Sequence, residues 1–171
     1  MKFHVDSRML LSSIFLLLGA GSTVFVAVAS LNYVQLYPAT SSLEVTLSKI
    51  LYRNGLTASV IVSNPVDYTG LTVTRGSLSI YFLSGSDYLF KNSTISDSVN
   101  LHTAIAARAD TAWDWTINLS ANQTSTLASF YTSHNQNVTA HYSLLLVVAS
   151  FLQGQAGATP YAKEDQVPLL H

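Results

Sequence analysis

Val62-Ser63-Asn64-Pro65-Val66-Asp67-Tyr68-Thr69-Gly70 separates two β-like runs. Before it, Leu56–Val62 alternates, with Leu56, Ala58, Val60 and Val62 on one face. After it, Leu71–Thr74 starts a second run. A period of two marks a half-buried strand. Pro65 fixes its own φ and removes a ladder donor, which stops the first strand. It also biases Asn64 towards extended backbone. The Asn64 side chain can bond nearby backbone groups and hold a turn. Gly70 permits a positive φ at the exit. Asn64, Pro65 and Gly70 therefore read as a structural corner, with a ligand site as the competing reading.

The pattern continues on both sides. Ser41–Ile50 alternates about Leu43, Val45 and Leu47, and Asn54-Gly55 is a turn signal, so a hairpin precedes the corner. Ser77–Leu83 places Leu78, Ile80 and Phe82 on one face, and Gly76 interrupts the run as a bulge would. Tyr88–Phe90 is a short apolar piece, and Ser98–Ala106 alternates weakly. Thr111–Ser120 aligns Trp113, Trp115, Ile117 and Leu119. The tryptophan pair reads as core, with a binding platform as the alternative. Within Thr124–Tyr131, the spacing of Leu127, Phe130 and Tyr131 predicts a short helix. Val138–Ala149 is a long closing strand.

These elements predict a mainly β fold. The expected architecture is an antiparallel, immunoglobulin-like β-sandwich over 41–152, with about seven strands and one short helix. Residues 153–171 are rich in Gly, Ala and polar types and carry Pro160 and Pro168. They read as an extended polar tail that leaves the domain.

The N-terminal part is of another kind. No charge occurs between Arg8 and Glu44, and Met9–Leu31 is an apolar run. As a helix it is about 35 Å long at about 1.5 Å per residue, enough for a hydrocarbon core of about 30 Å. The expectation is a cytoplasmic lead over 1–8 and a transmembrane helix over 9–34. Lys2 and Arg8 precede the span, which favours a cytoplasmic N-terminus and a single-pass cell-membrane protein with its C-terminal domain outside. Tyr33 and Tyr37 suit the far interface. The rival reading is a signal peptide cleaved after Ala29, at Ala27-Val28-Ala29. Both readings export the domain. Gly19, Thr23 and Ala27 form a small-residue stripe suited to helix packing against other transmembrane subunits or copies of the same chain.

Composition narrows the chemistry. Charged residues make up 10% and the net charge is −1, with no basic stripe for nucleic acid. Cysteine is absent, which removes disulfides and thiolate chemistry. Asp110 and Asp114 share a strand face about 13 Å apart, beyond the usual spacing of a glycosidase pair. No G-x-S-x-G elbow and no histidine metal motif occurs. A copper or zinc site would need the fold to gather His102, His134 and His141. The expectation is no catalytic residue, no metal and no cofactor. Asn92, Asn118, Asn122 and Asn137 each open an N-x-S/T sequon and are candidate glycosylation sites in an exported chain.

The strand ending in Val60-Ile61-Val62-Ser63-Asn64-Pro65, the aromatic Tyr68, the strand Leu71–Leu83, then Thr111–Leu119, a connector and a closing strand together resemble a known family. It is the late-embryogenesis-abundant group 2 domain, also called the water-stress and hypersensitive-response (WHy) domain. The resemblance covers roughly Leu43–Leu152. Asn64-Pro65 matches the family's Asn-Pro-Asn motif, and Val66 stands where the second Asn usually lies. The resemblance implies an antiparallel β-sandwich with a short helix, often behind a membrane anchor. It implies roles in stress protection, membrane association and binding, without catalysis. Two further expectations are an accessory subunit of a larger membrane complex, and a surface-fibre or envelope subunit. In the latter, Gln35–Val45 or the tail would add a strand to a neighbour.

Overall fold

The computed structural model describes residues 7–53, 55–150 and 158–171. Residues 1–6 with Lys2, Asn54 of the turn signal, and 151–157 lie outside the described residues, as do the side chains of Arg8 and Tyr33. The chain divides into two units, Met1–Pro38 and Ala39–His171.

Helix α1 spans Ser7–Ser41, so that its residues up to Pro38 belong to the first unit and its last three to the second. It is longer than the expected 9–34. Its stretch Leu11–Ser41 is apolar and long enough to cross a membrane. Consecutive side chains from Ile14 to Leu18 are exposed, and Leu16 and Phe25 are each 74% exposed. An apolar helix with no polar face is unsuited to water. Its hydroxyls are turned inward on the backbone: Ser22 and Thr23 both donate to the Gly19 carbonyl, at 3.0 and 2.8 Å. Such internal bonding meets the demand that hydrocarbon places on polar groups.

The second unit is mainly β. Its elements are β1 (Glu44–Tyr52), β2 (Leu56–Asn64), β3 (Leu71–Ser84), β4 (Asp87–Leu89), β5 (Ile95–Ile105), β6 (Ala109–Ile117), α2 (Ala121–Ser133), β7 (Thr139–Ser150) and β8 (Thr159–Leu170). Hydrogen bonds join them in one curled sheet in the order β4-β3-β7-β8-β1-β2-β6, with β5 also on β3. Alternation has the predicted effect: Leu56, Ala58, Val60 and Val62 of β2 are fully buried, as are Leu78, Ile80 and Phe82 of β3. Leu144 and Leu146 of β7 join them, and Leu127 and Tyr131 of α2 cover one end of the core. Ser120 caps α2 in a reciprocal box with Gln123, which satisfies first-turn N–H groups.

The expected polar tail is corrected. Residues from Thr159 to Leu170 form β8, antiparallel to β7 from Thr139↔Pro168 to Val148↔Thr159. Its last two residues pair parallel with β1, at Ile50↔Leu169 and Leu51↔Leu170. The prolines are compatible because of their phase. Leu169 N–H donates to Val138 O on the β7 side, at 2.9 Å. Strand alternation then turns the nitrogens of Pro160 and Pro168 away from β7. Proline is tolerated on such an unpaired edge. Tyr161 of β8 also donates its hydroxyl to Thr40 O.

Gly76 does not interrupt β3. The register shift lies between Val73 and Arg75, and Gly76 has a packing reason. A Cβ at Gly76 would stand 2.7 and 2.8 Å from the Trp115 ring and 3.2 Å from Leu101. The Trp115 ring is buried and pinned by its Nε1–H, which donates to Asp97 at 2.8 Å. It cannot yield freely. Gly76→Ala is expected to destabilise the second unit by about 1–3 kcal/mol through overpacking. Urea unfolding measures this, and most of the penalty should vanish in a Trp115→Leu background, where the clash is gone.

Candidate functional site

The corner after β2 is closed by its own atoms. Asn64 is fully buried. Its side-chain Nδ2 donates to Tyr68 O at 3.1 Å, and its Oδ1 accepts from the Val66 N–H at 3.3 Å. Val66 O accepts from the Arg108 N–H at 3.0 Å, which fastens the corner to the turn between β5 and β6. Arg108 and Asp67 add an exposed ion pair at 3.1 Å. Tyr68 is buried, which raises its hydroxyl above the usual tyrosine range and keeps it neutral. Gly70 leaves the corner at φ +90°. Asn64 thus acts as a bracket, with both ends of its amide used internally.

The three histidines weighed as metal ligands are not gathered together, and two of them have other partners. His141 stacks on Tyr81 at 4.8 Å. His134 stands at the C-terminal cap of α2, its Nε2 3.1 Å from Asp87 of β4 and its Nδ1 2.8 Å from Phe130 O. His102 lies on β5 in the recess described below. Among the described residues no three His, Asp or Glu side chains gather where a metal ion could be held. Asp110 is exposed, and Asp114 accepts from the Ser59 hydroxyl across the β2–β6 pair at 2.6 Å. Asn92, Asn118, Asn122 and Asn137 are all exposed. Trp113 and Trp115 face the core side of β6, and no described group accepts the buried Trp113 Nε1–H.

Sequence reasoning missed one site. Between Val73 and Arg75, β3 advances two residues while β7 advances one, from Val148 to Val147. Over the same step β5 advances three, from Thr103 to Asn100. Bulges thus stack across three strands. A bulge re-aims side chains, and bulges are over-represented beside functional sites. Here Thr74 and Arg75 lie consecutively on the outer side before Gly76 turns in. Thr74 Oγ1 donates to Val147 O at 3.1 Å. Arg75, Asn100 and His102 converge on an open recess of about 380 Å³, with Thr74, Val147 and Ala158 completing the lining. A neighbouring recess of about 370 Å³ shares Arg75 and Asn100 and adds Ser98 and Val99. Among the described residues neither recess carries a lining carboxylate.

No family model and no curated protein sequence matches the chain. Solved structures do resemble it. A protein from Arabidopsis thaliana, determined in solution, is 17% identical with a TM-score of 0.42, over 75% of this chain and 79% of that one. A candidate late-embryogenesis-abundant protein is 14% identical, also at 0.42, over 86% and 88%. A protein from Archaeoglobus fulgidus is 7% identical at 0.38, over 74% and 94%. These are partial resemblances of shape, and the reading of this chain rests on its own residues.

Two outcomes test these contacts. Asn64→Ala leaves the Val66 N–H and the Tyr68 carbonyl without their partner, and is expected to cost about 1–3 kcal/mol. A lowered urea midpoint at unchanged slope measures it. The second concerns pH. The Phe130 carbonyl, then the hydrogen bond to Asp87, raise His134 above its ordinary value; burial opposes them, and the Asp87 charge adds to them. A raised folded value stabilises fully below the unfolded value of about 6.5, and that contribution is lost as pH rises through the folded value. The stability gap between the native chain and Asp87→Asn should therefore be larger at about pH 5.5 than at about pH 8.5. Equal gaps would show that the pair is not coupled to protonation.

Proposed function

We propose that this chain is a single-pass, membrane-anchored, extracytoplasmic β-domain with a non-catalytic binding or structural role. The observation that carries the reading is α1, whose apolar side chains are exposed over Leu11–Leu31. Lipid is the environment that covers such a helix. Lys2 and Arg8 before the span support the outward orientation of the domain. We read the curl of the sheet as an immunoglobulin-like sandwich of the late-embryogenesis-abundant group 2 type, on the strength of the Asn64-Pro65 corner and the order of elements. In an exported domain the exposed Asn92, Asn118, Asn122 and Asn137 are glycosylation sites.

A second reading, an accessory subunit of a membrane complex, draws on the Gly19, Thr23 and Ala27 stripe. A Cβ at Gly19 would meet no heavy atom within 4 Å, so a second helix can approach that face closely. The fibre reading loses both of its donor segments: the tail is β8, paired within its own sheet, and Gln35–Val45 runs through the end of α1 into β1, where Glu44 and Val45 pair with β2.

One preparation tests the first two readings. The chain, extracted from its own membranes in mild detergent, is expected to retain its N-terminal helix and to exceed 18.5 kDa by its glycans. A detergent-free soluble form beginning at Ser30 would overturn the anchor. A particle holding other polypeptides at fixed ratio would favour the subunit reading.

A further inference from the structure

We propose that the recess at the stacked bulges is a binding site for the carboxylate group of a ligand, gripped by Arg75 with Asn100 and His102 beside it. The idea deepens the binding reading above, but its test holds whichever side of a membrane the domain faces.

The first support is convergence. Strict alternation would not place Thr74 and Arg75 on the same side, nor pair β5 with β3 at this slip. The double slip brings an arginine, an amide and an imidazole from two strands to one open recess. A guanidinium offers a planar fork that matches a carboxylate bidentately. Asn and His supply further N–H donors.

The second support is the availability of the charge. Three other cations are engaged, Arg108 with Asp67, Lys163 with Asp165 at 3.6 Å, and Lys91 over the Tyr88 ring at 4.0 Å, whereas Lys49 and Arg53 have no ion pair among the described residues. Arg75 is exposed and has no ion pair among the described residues. Asp97, an acid of the same strand as Asn100, is committed to the Trp115 indole. Since Asp97 sits opposite the buried Leu78, it faces the inner side, away from the recess.

The third support is the rigid floor. Gly76, directly after Arg75, lies against the buried Trp115 ring. Thr74 ties the bulge to Val147. Groups held on a braced sheet lose little freedom on binding, which favours even a small ligand.

The test uses the full chain in detergent micelles, labelled with nitrogen-15. D-glucuronate is titrated against inorganic phosphate, with shifts of the Arg75 Nε–H and the Asn100 side-chain amide as readout. The expected result is saturable shifting by glucuronate, with a Kd on the order of 1 mM, as one ionic group allows. Arg75→Gln should weaken this at least ~10-fold, with the rest of the amide spectrum unchanged, while Lys163→Gln leaves it intact. Non-saturating shifts, or saturation that survives Arg75→Gln, overturn the site. Tighter saturation by phosphate overturns the carboxylate assignment.

Discussion

Two paired positions hold the β unit as one sheet. The ladder β6-β2-β1 and the ladder of β3 with β4, β5 and β7 share no backbone bonds of their own. Among the described residues only β8 pairs with both, running antiparallel along β7 and then parallel to β1 at Ile50↔Leu169 and Leu51↔Leu170. Tyr142 adds a side-chain contact at this seam, since β7 carries it inward beside the Leu47 backbone of β1. That contact meets β1 where its own register slips, between Leu47 and Lys49. Burial raises the Tyr142 hydroxyl above the usual range, partly offset by the Leu47 backbone, so it stays neutral in the core. With the two ladders joined, Leu56, Val60, Leu78 and Leu144 become members of one core.

The opposite side is closed by side chains and turns. β5 and β6 are joined by a short turn, and no ladder pairs them. Trp115 reaches from β6 to Asp97 of β5 and across Gly76 of β3. The Asn64 corner fastens the exit of β2 to Arg108 in that same turn. A large aromatic with one polar atom suits this place, because its body fills the gap and its N–H finds an acceptor. Thus a charge-poor chain uses two polar side chains, Asn64 and Asp97, to position a closure that is otherwise apolar.

The legibility of this fold in the sequence follows from where each cause resides. The corner was readable because Asn64, Pro65 and Gly70 act through their own backbone. β2, β3 and β6 were readable because one face of each is largely apolar. β8 was not, because its inward positions include Lys163 and Asp165, so the alternation is broken in the middle. Its prolines further imitated a tail, although their phase keeps them off the β7 ladder. α2 is legible in the spacing of Leu127, Phe130 and Tyr131, but its start depends on the Ser120–Gln123 box, which lies outside the apolar pattern. The recess was invisible for a stronger reason. A register slip is a property of strand pairs, and β5 carries too little apolar pattern to announce its register.

That origin also explains why the recess differs from the corner. At Asn64 every polar atom with a visible role faces inward and stabilises the turn. At Arg75 the backbone departs from its ladder in three strands together, and among the described side chains there Thr74 returns a bond to the fold. Register slips sacrifice ladder hydrogen bonds and are retained as designed features, commonly where a side chain must be re-aimed. Closure of this sheet is already supplied by β8 and Trp115. The stacked slips instead shape the outer face, where they bring an arginine with no ion pair among the described residues beside an amide and an imidazole. Stability at the corner and exposure of charge at the bulge are opposite uses of scarce polar groups.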